Sequence, residues 1–272
     1  MIVVTGATGS IGRELVSLLP PDEVLAVVRK PAEVGCPHAL GDLEQPESIA
    51  AHLSPGDRLF LNSSLFPGVV DAHRAVIDLA RAAGVAQVVT VSVRHARPGG
   101  RLGQDMHGHI DEHLRASGVP HAILRPGGFM QNLLTEVRDG RFHGSYGAAR
   151  VSYIDSRDIA AVAAALLTRP VGPSETYTLT GPEALTHDEI AAAITAATGR
   201  PVTYVDLPVP DLTAHLTAQG LPDALAAQLA AMMREMGTED WASASSTVED
   251  LTGRPPRSLA DFLADHAHAF DA

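Results

Sequence analysis

Residues 6–12 read Gly6-Ala7-Thr8-Gly9-Ser10-Ile11-Gly12, directly behind the apolar run Ile2-Val3-Val4-Thr5 and ahead of a helical pattern. Glycines in such a turn let the backbone bend tightly and approach a pyrophosphate. The helix that follows offers unpaired N–H groups and the positive end of its dipole. The spacing is G-x-x-G-x-x-G, not the commoner G-x-G-x-x-G, and a glycine triplet alone also fits an ordinary strand-to-helix turn. Its place after the first strand and at the opening of the first helix meets the context that a dinucleotide-binding turn requires.

The pattern downstream extends this reading. Short apolar runs at Val24 to Val28, Leu59 to Leu61, Gln87 to Val93 and His121 to Leu124 alternate with helical spacings at Gly12 to Leu19, Val69 to Ala83 and Gly108 to Ala116. Strand and helix in alternation imply right-handed crossovers and a parallel sheet, and nearly all-apolar strands are expected when helices cover both faces. The predicted fold is α/β, a Rossmann doubly wound parallel sheet with a smaller C-terminal α/β lobe. Residues 1–150 are assigned to the nucleotide-binding domain, and 151–272 mainly to the second lobe, interwoven with the sheet. In that half Ser156 to Leu167 reads as a helix, Glu175 to Thr180 as a strand, Thr186 to Gly199 as a helix opened by a Thr186/Glu189 capping box, and Val202 to Leu207 as a strand. Asp211 to Met236 reads as a helical region whose stripe Leu221, Leu225, Leu229, Met232, Met233, Met236 follows helical spacing. The stripe suits an apolar cleft wall or a packed core; Trp241 fits either.

The 272 residues carry a net charge of −12, which argues against a nucleic-acid partner and an anionic membrane surface. No run reaches membrane-spanning length and no secretory signal opens the chain. The single cysteine, Cys36, forms no internal disulfide and suits a reducing cytoplasm.

The end of the second strand bears on which nucleotide binds. An Asp or Glu there would hold ribose hydroxyls and favour NAD. The chain has Val28-Arg29-Lys30. A guanidinium fork beside an ammonium suits the 2′-phosphate of NADP(H); a solvated basic pair is the alternative. Asp42 either lies near the adenine or caps the next helix.

With Gly6 to Gly12 and Val28-Arg29-Lys30-Pro31 in hand, the chain resembles the NmrA-like group of atypical short-chain dehydrogenase/reductases, nearest its NADPH-dependent quinone-reductase-like members. Ala80 to Val85, His107 to Val119, Ile123 to Asn132, Tyr153 to Ala160 and Thr252 to Arg257 carry the likeness along nearly the whole chain. It implies a Rossmann domain, a small C-terminal lobe and a substrate cleft between them. Nicotinamide contacts are implied from Leu61-Asn62-Ser63-Ser64 and Pro126-Gly127-Gly128.

The chain departs from the wider superfamily at the Tyr-x-x-x-Lys pair, where alignment of the helix ending in Ser117-Gly118 puts Gly103 and His107. His107 is then the first candidate proton donor, being near neutrality when unperturbed. Ser92 and Asn132 are further candidates, with Tyr146 and Tyr153 behind them. Each has a plainer alternative: packing for Ser92 and Tyr153, a helix cap for Asn132. His109 and His113 stand one turn apart, yet no third ligand completes a metal site. The expected activity is hydride transfer from NADPH to a small apolar conjugated carbonyl or quinone, with a homodimer allowed. A nucleotide sensor without turnover and a non-redox cyclase or isomerase are the alternatives.

Overall fold

The structure, a computed structural model, describes residues 1–237 and 240–270. Its strands are β1 (Ile2–Thr5), β2 (Val24–Val28), β3 (His38–Leu40), β4 (Arg58–Leu61), β5 (Gln87–Val91), β6 (His121–Pro126), β7 (Val137–Arg138), β8 (Arg141–Gly144), β9 (Glu175–Leu179) and β10 (Thr203–Asp206). The helices are α1 (Ser10–Leu18), α2 (Pro46–Ala50), α3 (Val69–Ala82), α4 (Gly103–Ser117), α5 (Leu133–Glu136), α6 (Ser156–Thr168), α7 (His187–Thr198), α8 (Val209–Ala218), α9 (Asp223–Glu235), α10 (Thr247–Thr252) and α11 (Leu259–His266).

Two compact units emerge. The first takes Met1–Pro126, Ser156–Leu179 and Thr247–Arg254; the second takes Gly127–Asp155, Thr180–Ser246 and Pro255–Ala272. The chain thus leaves the first unit at Pro126, not at residue 150, and returns to it twice. The cause is visible in β9, a strand from the second half that pairs with β6 through the register Ile123↔Thr176 and Arg125↔Thr178.

The first unit is built on a seven-stranded parallel sheet in the order β3-β2-β1-β4-β5-β6-β9. All residues of β1 and β5 are buried, as a sheet covered on both faces demands. After β3 the chain crosses β1 to begin β4 on its other side. The C-terminal ends of β1 and β4 therefore form the switch point where open α/β sheets take ligands. Val3, Leu59, Leu61, Val76, Ile77, Val88, Ile110, Leu114 and Ile123 fill the core on one face. Arg58 closes α6 by donating from Nη1 to the carbonyls of Leu167 and Arg169, each at 2.6 Å, so orphan C=O groups at the helix end are satisfied.

The second unit carries a small sheet, β10-β8-β7, with β8 antiparallel to β7 and parallel to β10. The capping box forms as expected, Thr186 accepting from the Glu189 N–H at the start of α7. Phe142, Tyr146, Tyr153, Ile190, Ile194, Leu212, Met233, Trp241 and Phe262 make its core.

The region 211–236 is two helices, α8 and α9, because Gly220 and Pro222 interrupt it. The expected stripe is also rotated. Leu225 is 43 % exposed while Ala226, Ala230 and Met233 face inward. Met233, Met236 and Trp241 belong to the second unit's packed core. Among the described residues no helix is long and apolar enough to cross a membrane.

Candidate active site

The glycine turn sits at the switch point. A Cβ on Gly12 would overlap the Gly6 carbonyl oxygen and lie 2.7 Å from its carbon and 2.8 Å from the Ala7 Cα. Only glycine lets α1 start this close to the turn. Gly6 itself has φ +67° and faces the Asn62 backbone at the end of β4. Thr5 ties the two strand ends together: its Oγ1 donates to the Asn62 carbonyl at 2.9 Å and accepts from the Asn62 N–H at 2.9 Å. Gly9 is the N-cap of α1 and brings no side-chain cap, so the N–H groups of the first turn stay open to an anion. Thr8, Gly9 and Ser10 are exposed, while Ile11 and Gly12 are buried against the sheet.

Arg29 and Lys30 follow β2 and are both exposed. Among the described residues their side chains make no hydrogen bond and no ion pair. Asp42 instead closes a turn: Oδ1 accepts from the Glu44 N–H at 3.1 Å, and its own N–H donates to Ser48 Oγ at 2.8 Å. The N-cap of α2 is Gln45, so Asp42 does not cap that helix. Ser63 Oγ is buried without a partner, an orphan polar group beside the switch point. Ser64 is exposed. Pro126 ends β6 and accepts from the Arg94 N–H at 2.9 Å; Gly127, the next residue, is buried. The donors, the free cations and the glycine cradle fit a dinucleotide with an additional phosphate.

The three candidate proton donors differ in freedom. Ser92 is buried, and its hydroxyl donates to Asp111 Oδ2 at 3.0 Å. The same oxygen accepts from Arg125 Nε at 3.0 Å and Nη2 at 2.7 Å, while Nη2 also reaches the Ala96 carbonyl at 2.9 Å. Ser92 is thus one member of a buried network joining β5, α4 and β6. His107 lies on α4, whose observed start at Gly103 precedes the expected Gly108. Burial, with the charges of His73 and Arg125 adding to it, holds its imidazole down at about 4. His107 is therefore neutral at pH 7 and offers a hydrogen bond, not a positive charge. Asn132 is exposed at the N-cap of α5, where its side chain makes no cap bond.

His109 and His113 pair with Asp105 at 3.5 Å and Asp78 at 2.8 Å. Among the described residues no group of three metal-ligating side chains assembles. The chain's one lysine is Lys30, and the residue four before it is Ala26, so no Tyr-x-x-x-Lys occurs anywhere in the sequence.

A second polar cluster lies inside the second unit. Tyr146 stacks on His187 with ring centroids 3.6 Å apart and planes 9° from parallel. Tyr153 Oη stands 3.0 Å from His187 Nε2. Burial pushes both phenols upward and holds His187 down at about 3. Glu136, on α5, faces both tyrosines electrostatically, and burial lifts its carboxyl to about 7. Tyr146 and Tyr153 stand out in the sequence as rare hydroxyls. Glu136 does not, because only its burial in the fold sets it apart from the chain's other carboxylates.

The NmrA-like family profile matches residues 1–263. The chain is 37% identical to an NAD(P)H azoreductase of Xenophilus azovorans, over the whole of both proteins. It is 31% identical to quinone oxidoreductase 2 of Escherichia coli, with 97% of this chain and 98% of that protein aligned. The crystal structure of the NADPH-dependent quinone oxidoreductase of E. coli complexed with NADPH superposes with a TM-score of 0.86 at 30% identity, over 97% of this chain and 99% of the other. Triphenylmethane reductase of Citrobacter shares the fold at a TM-score of 0.85 and 22% identity, over 98% of this chain and 100% of the other. With its dinucleotide turn, switch point and matching length, this chain belongs to the NmrA-like family.

Proposed function

We propose that this protein is an NADPH-dependent reductase that transfers hydride to a small, apolar, conjugated acceptor of the quinone type. The observation that carries the reading is the exposed, unpaired Arg29–Lys30 couple at the C-terminal end of β2, on the same sheet edge as the glycine turn. Similarity to quinone- and azo-reducing proteins supports it. Bound NADPH supplies the hydride.

In this reading Gly6, Thr8, Gly9, Ser10, Ile11 and Gly12 form the pyrophosphate turn, and the first N–H groups of α1 meet the negative charge. Arg29 forks onto the 2′-phosphate and Lys30 adds a point charge. Asp42 borders the adenine. Asn62, Ser63 and Ser64 serve the nicotinamide end, as does the peptide Pro126-Gly127; the Ser63 hydroxyl has a bond to give. His107 as a neutral imidazole orients the acceptor oxygen, Asn132 is a further candidate through its exposed amide, and Ser92 holds the Asp111–Arg125 network that fixes α4. The setting is the cytoplasm, where Cys36 stays a thiol.

The test is to titrate the protein with NADPH and NADH, then follow absorbance at 340 nm with quinones, enones, ketones and imines. Tighter NADPH binding and oxidation in the presence of a quinone are expected. Tight NADPH binding with no oxidation by any acceptor would replace the reductase with a sensor. Product formed without net NADPH loss would replace it with a non-redox enzyme.

A further inference from the structure

Arg13 directly follows the last glycine of the turn, and no other arginine or lysine precedes Arg29. It stands at the close of the first turn of α1. A helical side chain leans back toward the helix N-terminus, and this one folds onto the glycine turn itself: Nη2 donates to the Thr8 carbonyl at 3.4 Å. That bond is long and exposed, so it holds the guanidinium only weakly. Among the described residues Arg13 makes no ion pair and its side chain makes no other hydrogen bond. Its remaining donors are unspent.

Neither packing nor capping accounts for the residue. The face that α1 buries is Ile11, Gly12, Leu15 and Val16, and Arg13 is exposed. A guanidinium has no acceptor to offer the open N–H groups of the first turn. The first turn of α1 also holds no acidic residue. A cation close to the positive end of a helix is disfavoured, and an anion bound between them offsets this.

The sheet brings further cations to the same corner. β1 and β2 run parallel with Thr5 opposite Val27, so the glycine turn and the Arg29–Lys30 couple rise side by side from one sheet edge. α1 then carries the chain from β1 to β2, leaving the turn toward the strand that ends in that couple. In a chain of net charge −12, Arg13, Arg29 and Lys30 gather here, and among the described residues none of them pairs with a carboxylate.

We propose that Arg13 is a specificity-determining residue of the nucleotide site, holding the 2′-phosphate of NADPH from the α1 side while Arg29 and Lys30 hold it from the β2 side. The inference rests on the NADPH reading of Arg29–Lys30 and makes that phosphate site two-sided. Arg13 exchanges the Thr8 carbonyl for phosphate oxygens, which a guanidinium fork matches in pairs. Thr8 is exposed, so water takes over its carbonyl. The 2′-hydroxyl of NADH carries no charge for Arg13 to meet.

The experiment measures Kd by calorimetry for NADPH, NADH and adenosine 2′,5′-bisphosphate with wild type, Arg13→Gln and Arg13→Lys. Binding is the readout, so turnover is immaterial. Arg13→Gln is expected to weaken NADPH and the bisphosphate about tenfold, the loss of one charge-assisted bond at an exposed site, and to leave NADH within about twofold. Arg13→Lys is expected to recover part of the loss. Unchanged NADPH affinity in Arg13→Gln overturns the proposal. So does an equal loss for NADPH and NADH, which would put Arg13 on the pyrophosphate. Should the variants fail to fold, phenylglyoxal labelling of wild type with peptide mass spectrometry decides: adenosine 2′,5′-bisphosphate should protect Arg13 and AMP should not, and equal labelling with both refutes the role. Selective loss of NADPH in Arg29→Asp but not in Arg13→Gln would sink this inference alone. Wild type binding NADPH no tighter than NADH would sink the NADPH reading and this inference with it.

Discussion

Replacing Gly12 by alanine should separate close packing at the glycine turn from anion binding there. The new Cβ would overlap the Gly6 carbonyl oxygen and press on the Gly6 carbon and the Ala7 Cα at 2.7 and 2.8 Å. All three atoms are backbone, so no rotamer change relieves the clash and α1 must move off the turn. Overpacking of this kind costs about 1–3 kcal/mol. In a chain of this size that is a fall in Tm of about 2–10 °C. Displacement of the α1 N–H groups by a few tenths of an ångström adds a loss of NADPH affinity. Gly9→Ala is the control. Its Cβ would meet only the Gly6 oxygen, at 3.3 Å, and its backbone, at φ −79° and ψ 173°, is open to any residue. The control should melt within about 1–2 °C of wild type, because its contact is only slightly tight and surface changes of this kind stay within about 0.5 kcal/mol. It should still weaken NADPH, because a methyl group then stands where the pyrophosphate approaches. Differential scanning fluorimetry and NADPH fluorescence titration on both variants give the four numbers. Equal melting points for Gly12→Ala and wild type would refute the packing argument. Unchanged NADPH affinity in Gly9→Ala would refute the placement of the pyrophosphate.

Arg29→Asp should weaken NADPH by about 10–100-fold, the worth of a charge-assisted bond of 1.5–3 kcal/mol, and leave NADH little changed; equal effects on both cofactors, read by titration, would remove the phosphate site. Stability should also depend on pH through His187. Its unfolded imidazole titrates at 6.5 and its folded one at about 3, so the fold favours the neutral form. That contribution is present above 6.5 and is lost as pH falls from 6.5 toward 3. Urea melts of wild type at pH 7, 5 and 4 should show the decline, and His187→Gln should lack that part of it.

The elements that are local in origin were legible in the sequence. β1, β2 and α3 are announced by apolar runs or helical spacing and bounded by Gly or Pro. β3 escaped because its burial pattern, exposed at His38 and Leu40, carries no apolar run; its register with β2 makes it a strand. β7 and β8 escaped for a similar reason, being two and four residues long and held by pairing with each other and with β10. The break between α8 and α9 was written in Gly220 and Pro222, but the Ala/Leu content on both sides masked it. Alanines 226 and 230, not Leu225, turned inward, a choice that depends on how closely neighbouring elements approach.

The same division runs through the site. Gly6 to Gly12 and Arg29–Lys30 are contiguous segments whose chemistry is stated by their residue types. Ser92, Asp111 and Arg125 form one network from three elements, and none of the three names its partners in sequence. Glu136 is the extreme case. It is an ordinary glutamate until the fold buries it, and no spacing rule marks it.

The most direct test of the central claim is to give the purified protein [4-²H]NADPH and a quinone and measure NADP⁺ and hydroquinone together. Hydride transfer predicts one NADP⁺ per hydroquinone and slower turnover with the transferred deuterium. Tight NADPH binding with neither product formed, or hydroquinone formed out of proportion to NADP⁺, would contradict it.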